Sequence, residues 1–232
     1  NSSELVRDMN NGFRHSIPIS TSFKLFKYFN LNPSLSTNQT VTFRSIRKKL
    51  NDEGILERDT ISEIRTGETY SFNTALSTKI YGMLNFGDRK IQAIRHVFTP
   101  QITYSYQPEI NKGLTSYIDE DGEEVEYSIF EGSVYGAPTR VKAERIGINL
   151  LNNIEMKVRS NKDSSGIKKI TIFENLGFST NYNTVLDSLN LNPIAFNGRT
   201  RFGKFLTFQF DGSLDPYGLD SNGTSVNRVN TT

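Results

Sequence analysis

Fifteen consecutive residues, Arg145 to Arg159, alternate between apolar and polar side chains almost without interruption. The apolar ones share one parity and are Ile146, Ile148, Leu150, Ile154, Met156 and Val158. The polar ones share the other parity and are Arg145, Asn149, Asn153, Glu155, Lys157 and Arg159. Because successive side chains of a β-strand point to opposite faces, the segment predicts one strand with an apolar face and a polar face. This strand is more than twice as long as a typical soluble strand of about five or six residues.

The same alternation recurs in about eight segments, which are 13–25, 29–43, 70–86, 94–106, 145–159, 170–182, 193–202 and 206–214. Short connections are predicted at Phe26–Tyr28, Gly87–Arg89, Asn161–Gly166 and Gly203–Lys204. Long loops are predicted near 45–69 and 107–144, the second containing a strand-like piece at 128–135. Short turns on one side and long loops on the other are typical of transmembrane β-barrels. We therefore predict an all-β fold: an antiparallel transmembrane β-barrel segment, with residues 1–232 forming part of one outer-membrane barrel domain of more strands.

The composition fits this fold. Hydrophobic residues make up 35% of the chain and the mean hydropathy is −0.47, as expected when apolar residues occupy only alternate positions. No apolar run approaches the roughly 20 residues of a membrane-spanning helix. The net charge of +2 gives no reason to expect nucleic acid as a partner, and the absence of cysteine excludes disulfides. The polar ends, without signal peptide or aromatic-terminated strand, suggest an internal piece of a longer protein.

A soluble β-sandwich binding module is the main alternative for such a pattern. Aromatic residues near both ends of several apolar faces favour the barrel, as in Phe29 with Phe43 and Phe72 with Phe86. The fourteen steps from Phe72 to Phe86 span roughly 46 Å of strand. Tilted by about 45°, this is roughly 33 Å along the membrane normal, close to the hydrocarbon thickness. Paired aromatic girdles at this spacing suit a bilayer.

The polar parity supplies the candidate lumen-facing residues, which are Arg14, Asn30, Lys79, Arg95, Asn153, Lys157, Arg159, Asn175, Arg199 and Asp211. Their simplest role is to give the lumen a hydrated surface and to form hydrogen bonds across strands. Glu174 does not fit, because it falls on the apolar parity between Ile172 and Leu176. A β-bulge near Phe173 would turn its carboxylate to the polar side.

Four prolines, Pro18, Pro33, Pro100 and Pro193, fall within the predicted strands. Each removes a hydrogen-bond donor from a strand ladder, so they are candidate strand-weakening positions if they do not simply mark bulges or the membrane interface. The two histidines, His15 and His96, lie on apolar parities and do not indicate a catalytic base. We predict a protein that is not an enzyme and has no cofactor or metal.

Several phrases resemble one known family, among them FRHSIPIS from Phe13, KYFNLNPSLS from Lys27, STKIYGMLNFG from Ser77 and IRHVFTPQITYSYQP from Ile94. Others are SIFEGSVYGAPT from Ser128, NNIEMKVRSNKD from Asn152 and DSLNLNPIAFNGRT from Asp187. Together they resemble the lipopolysaccharide-assembly outer-membrane protein family LptD, in its Bacteroides-like branch. The resemblance covers most of the chain from Phe13 to Asp220.

This resemblance implies location in the cell outer membrane and a many-stranded barrel that passes lipopolysaccharide into the outer leaflet through a seam between its first and last strands. It also implies three partners besides lipopolysaccharide: a plug lipoprotein (LptE-like), a periplasmic bridge protein and outer-membrane lipid. The weakening prolines of the family belong to that seam, so the resemblance does not transfer them to Pro18 or Pro33. A second barrel function remains open, in which the chain is a fragment of a nutrient receptor or porin.

Overall fold

The computed structural model describes residues 10–139, 141–161, 166–203 and 206–229, and within them the regular structure consists of β-strands. The strands are β1 (Gly12–Ser20), β2 (Phe23–Leu25), β3 (Phe29–Leu50), β4 (Leu56–Ser77), β5 (Ile80–Asn85), β6 (Ile91–Gln107), β7 (Leu114–Ile118), β8 (Glu124–Ser128), β9 (Ala143–Arg159), β10 (Ile167–Asn183), β11 (Ile194–Phe202), β12 (Leu206–Leu214), β13 (Tyr217–Leu219) and β14 (Ser225–Val229). Among the described residues, no helix has the length and hydropathy needed to cross a membrane.

Ten of these strands form one antiparallel sheet in the order β1-β3-β4-β6-β9-β10-β11-β12, with β2 beside β3 and β5 beside β6. This order has two ends, so the sheet of the described residues is not closed. Two hairpins, β7–β8 and β13–β14, form separate small sheets. The eight predicted segments all occur as neighbouring strands, and β9 lies within two residues of its predicted bounds.

Two predicted strands are interrupted, and each interruption faces a proline. The first predicted strand is split between β1 and β2 at Thr21, whose backbone N–H donates to the Pro33 carbonyl at 3.1 Å. The third is split between β4 and β5 at Thr78, whose N–H donates to the Pro100 carbonyl at 3.2 Å. Since proline has no N–H to return, the ladder loses a bond at each point.

The other two prolines are placed differently. Pro18 lies within β1, at one end of the sheet order, where a missing donor is tolerated. The prediction for Pro193 was wrong, because this residue precedes β11 and is not in a strand. Tyr182 forms an isolated bridge with Leu191 there, and regular pairing resumes at Ala195 with Ser179.

The charged segment 45–69, expected to be a loop, is mostly strand. β3 continues to Leu50 and β4 starts at Leu56, so only residues 51–55 form the turn. Asn51 holds this turn, since its side-chain oxygen accepts hydrogen bonds from the backbone N–H groups of Glu53 and Ile55. The charged side chains of this segment do not prevent strand pairing, which is why the charge run misled the prediction. The predicted turns at 161–166 and 203–204 lie partly outside the described residues.

The chain divides into two compact units. Unit 1 contains the described parts of Asn1–Ser20, Ser34–Phe72 and Tyr106–Ala143. Its core is small and centres on Phe130, which is 1% exposed, together with Tyr127, Val41 and Ile46. Of residues 128–135, the strand-like piece of the predicted second loop, Ser128 ends β8 and the rest form turns, so the piece does not pair with the large sheet as a strand.

Unit 2 contains Thr21–Pro33, Asn73–Ser105 and the described parts of Glu144–Thr232. One face of its sheet carries large apolar side chains that remain exposed, including Leu84 at 64%, Leu206 at 59% and Phe208 at 54%. Glycines on this face accommodate aromatic rings of the neighbouring strand. Gly198 pairs with Phe210, and a Cβ atom at Gly198 would overlap the Phe210 ring. The large apolar side chains of this face are therefore not covered by protein within the described residues.

Candidate functional site

The polar face of unit 2 carries a charged cluster, which we define as Arg95, Glu155, Lys157, Lys169, Glu174, Arg199 and Arg201. Register places these side chains together, since Thr171 pairs with Glu155 and Lys169 pairs with Lys157 across β9 and β10. Arg95 of β6 reaches the same place through an ion pair of 2.8 Å with Glu155. Three predicted lumen-facing residues, Arg95, Lys157 and Arg199, are therefore brought to one region.

Glu174 joins the cluster because β10 contains two register shifts, one between Thr171 and Phe173 and one between Phe173 and Leu176. Between Thr171 and Leu176, β10 contains two residues more than the paired stretch of β9. The alternation of side chains between the two faces is therefore inverted after Thr171 and restored by Leu176. Phe173 takes the apolar position expected for Ile172, and the Glu174 carboxylate meets Arg199 and Arg201 at 3.1 and 3.2 Å. The predicted bulge near Phe173 is confirmed.

Asparagines of β9 stabilise this irregular stretch. The Asn153 amide donates to the carbonyl oxygens of Phe173 at 3.3 Å and Glu174 at 3.0 Å. The Asn152 amide donates to the Leu176 carbonyl at 3.1 Å, and its oxygen lies 2.9 Å from His96 Nε2 on the apolar face. Carbonyl groups that lose ladder partners at the bulge thus find donors nearby, which removes most of its cost.

Two lysines of the cluster have no such partner. Lys157 and Lys169 are directly opposite each other and exposed, and within the described residues neither forms an ion pair or side-chain hydrogen bond. They line one cleft of about 130 Å³ together with Arg95 and Glu155. Lys169 also lines a second cleft of about 440 Å³ with Glu174 and Arg201.

The other predicted residues of unit 2 lie outside the cluster. Arg159 pairs with Asp88 at 3.4 Å. Asn175 is the register partner of Arg199, and its buried side-chain oxygen has no hydrogen-bond donor within the described residues. The remaining three predicted positions are Asn30 opposite Lys24, Lys79 in the break between β4 and β5, and Asp211 opposite Asn197.

Arg14 is the one predicted lumen-facing residue of unit 1, and a folded-back segment occupies its surroundings. We call residues 107–139 the covering segment. The Arg14 guanidinium donates to the Tyr135 carbonyl at 3.1 Å and lies 4.8 Å from the centre of the Tyr135 ring. Its Nε also donates to Thr40, its cross-strand partner, at 3.3 Å. Arg14 itself stays exposed, so the covering segment contacts the polar side of β1 without burying it.

Further contacts fix the covering segment onto β3 and β4. The Ile46 backbone N–H donates to the Ile129 carbonyl at 3.0 Å, and Lys48 forms an ion pair of 2.5 Å with Glu131. Phe130 lies against Gly67, where a side chain would collide with Pro138 and crowd the Phe130 ring. Glycine at position 67 is thus what permits the close approach.

Two carboxylates of β4 in unit 1 are held in the ionised form. Hydrogen bonds from Tyr70, Lys112 and Gln39 lower the pKa of Glu68 below its usual range. The Lys112 ammonium lies 3.2 Å from this carboxylate and so ties the covering segment to β4. Hydrogen bonds from Arg65 and then Ser45 lower the pKa of Glu63.

Sequence reasoning missed Lys169, Arg201 and the role of Glu174. Arg201 shares its parity with Arg199, and that signal could have identified it. The position of Lys169 depends on the register of the β9–β10 hairpin, whose turn sequence does not specify it. No group of three or more potential metal ligands occurs in the part of the chain that the structure describes.

Comparison with known proteins gives one match. A family model described as LptD protein matches residues 1–217. No curated protein and no solved structure matches the chain.

Proposed function

The chain belongs to the LptD family of outer-membrane lipopolysaccharide-transport proteins, and we propose that it forms part of the barrel wall along which lipopolysaccharide passes into the outer leaflet. The family match carries this proposal, and the two unlike faces of the sheet support it. The wall has no bond to make or break in this role. Its work is to present lipid chains with an apolar surface and charged sugars with a hydrated one.

The apolar face supports a membrane position. Soluble monomers rarely expose contiguous apolar patches larger than a few hundred Å². Here large side chains stay exposed on several strands of unit 2, including Ile80 at 53%, Ile148 at 44% and Leu214 at 60%. Hydrocarbon chains of lipid could cover this face where the strands are paired, because the backbone donors and acceptors there already bond to each other within the strand ladder.

The polar face supports a hydrated interior of a larger barrel. An arrangement of arginine, lysine and asparagine side chains suits contact with phosphorylated sugars, and it would be costly against lipid. The predicted lumen-facing residues keep that role in the proposal. Pro33 and Pro100 would weaken the wall locally, since each faces an interruption of the neighbouring strand. The plug lipoprotein and the periplasmic bridge protein are proposed partners of the whole protein.

Site-specific photocrosslinking tests the proposal. A photoreactive residue is placed at Thr171 or at Ile170 of the full-length protein in cells. Thr171 pairs with Glu155 of the polar face, and its neighbour Ile170 pairs with Met156 of the apolar face. We expect a lipopolysaccharide adduct at Thr171 that disappears when lipopolysaccharide export is blocked, whereas any adduct at Ile170 with lipid already in the outer leaflet should persist. No adduct at Thr171, or an adduct there that survives the block as at Ile170, would contradict the proposed path.

Depletion of the full-length protein separates lipid export from nutrient uptake. Newly made lipopolysaccharide should stop reaching the cell surface when the protein is depleted. A nutrient receptor or porin would leave its delivery unchanged. A soluble binding module would remain in solution without detergent. A purified protein that needs detergent therefore excludes this alternative, and one that does not need it supports the alternative.

A further inference from the structure

We propose that Lys157, Lys169 and Arg201 form a phosphate-binding site on the polar face, which takes a phosphate group carried by a lipid. The site rests on the proposed function and specifies where along the wall the cargo makes a charged contact. The lysine pair lies at the centre of the site, and the ligand would occupy the two clefts that Lys169 lines.

The lysine pair is unfavourable in the protein alone. Lys157 and Lys169 are direct cross-strand partners, and like charges directly opposite each other destabilise a sheet. Within the described residues, neither ammonium has an anionic partner. An alternating strand could carry a neutral polar residue at either position without loss of pairing, so the arrangement favours a ligand that supplies the missing negative charge.

The surrounding carboxylates do not supply that charge. Glu155 is engaged by Arg95 at 2.8 Å. Glu174 is shared by Arg199 and Arg201 at 3.1 and 3.2 Å. The charged cluster therefore has five cations against two carboxylates, which leaves an excess of three positive charges on this part of the face.

The geometry provides space for an anion. The cleft of about 130 Å³ beside both lysines is far larger than the roughly 10–15 Å³ that one water needs. The neighbouring cleft of about 440 Å³ adds the guanidinium of Arg201 on the other side of Lys169. A phosphate in the first cleft meets Lys157 and Lys169, and one in the second meets Lys169 and Arg201. Charge-assisted hydrogen bonds from such groups to phosphate are the strong ones.

A phosphate of this kind occurs both on lipid A and on phospholipid headgroups. We therefore test three probes with the full-length protein in detergent: phosphorylated lipid A, the same lipid A after removal of its phosphates, and phosphatidylglycerol. The variants are Lys169→Gln and Lys157→Gln. Lys24→Gln is the matched control, because Lys24 is an exposed lysine of unit 2 that lies opposite Asn30 and outside both clefts. Heat-modifiable gel migration confirms that every variant is folded.

We expect Lys169→Gln and Lys157→Gln each to weaken binding of phosphorylated lipid A roughly tenfold, the loss of one charge-assisted hydrogen bond. Lys24→Gln should change it less than about twofold, and dephosphorylated lipid A should bind wild type and variants alike. A lysine-dependent loss confined to phosphatidylglycerol supports the site while counting against lipopolysaccharide as the cargo. Equal effects of Lys169→Gln and Lys24→Gln on both phosphate-bearing probes overturn the site. In that case lipid A binding by the wild type would still support the proposed function.

Discussion

Phe130 is the residue on which the covering segment depends most, and its replacement gives a quantitative test. The side chain is 1% exposed and lies against Gly67 and Gly113. Truncating a fully buried phenylalanine to alanine costs about 3–5 kcal/mol, because apolar burial is lost and a cavity remains. The loss acts on the covering segment before it acts on the large sheet, because strand pairing in the sheet does not use this ring.

Hydrogen exchange of the full-length protein measures this loss directly. The Ile129 amide donates to the Gly113 carbonyl at 2.9 Å within the covering segment, so its exchange reports local opening of that segment around Phe130. A cost of about 3 kcal/mol predicts that Phe130→Ala speeds this exchange by roughly 150-fold. Phe130→Leu, which keeps an apolar side chain, should give a much smaller increase.

Val134→Ala is the matched control within the same segment. Val134 is 49% exposed, and surface substitutions of this kind change stability by less than about 0.5 kcal/mol. Exchange at Ile129 should therefore rise by no more than two- to threefold. Unchanged exchange in Phe130→Ala, or an equal effect of Val134→Ala, would refute the view that Phe130 anchors the segment.

Three further outcomes are expected. Glu174→Gln should lower the free energy of unfolding by about 1 kcal/mol in urea titrations. The value is small because both partners of Glu174, Arg199 and Arg201, are half exposed. No change would mean that the pairing does not stabilise the bulge. Gly198→Ala should cost about 1–3 kcal/mol by displacing the Phe210 ring, and the Phe210→Ala background should remove most of that cost. Glu68 has a lowered folded pKa, so its contribution is present above the unfolded value of about 4.3 and is lost as the pH falls through the folded value. After correction for the pH dependence of intrinsic amide exchange, acid should therefore lower the protection of the covering segment in the wild type, and much less in Glu68→Gln.

The large sheet was predictable because its information is local. Alternation over fifteen residues identifies β9 without any tertiary contact, and the tight connection at Phe26–Tyr28 is confirmed by the Tyr28 N–H donating to the Leu25 carbonyl at 3.2 Å. Where one face must be apolar, a shift of the strand register by one residue would move every side chain to the opposite face. The apolar residues at every second position therefore determine the register from the sequence alone.

The strand extensions at 45–69 were not predictable from alternation, because charged residues occur on both parities there and the period disappears. The turn signal was nevertheless present, since Asn51 to Gly54 is a typical turn sequence, and it places the turn within the segment. Weighting that signal above the density of charge would have given the observed hairpin.

The charged cluster and the covering segment depend on contacts between residues far apart in sequence. Glu174 was recognised as a misfit from parity alone, but its two arginine partners follow from the pairing of β10 with β11. Phe130 lies in a segment with no strong period, and its burial depends on glycine at position 67. Such contacts carry no signature within a short stretch of sequence.

The central claim is that the apolar face meets lipid and the polar face meets water, and nitroxide labels on β9 test it most directly. The 232 residues contain no cysteine, so a single cysteine at Ile148 or Asn149 gives one labelled site in this part of the protein. In bilayer-reconstituted full-length protein, we predict high oxygen and low nickel-chelate accessibility at Ile148, and the reverse at Asn149. Equal nickel-chelate accessibility at both positions, or low accessibility to both reagents at Ile148, would contradict the account.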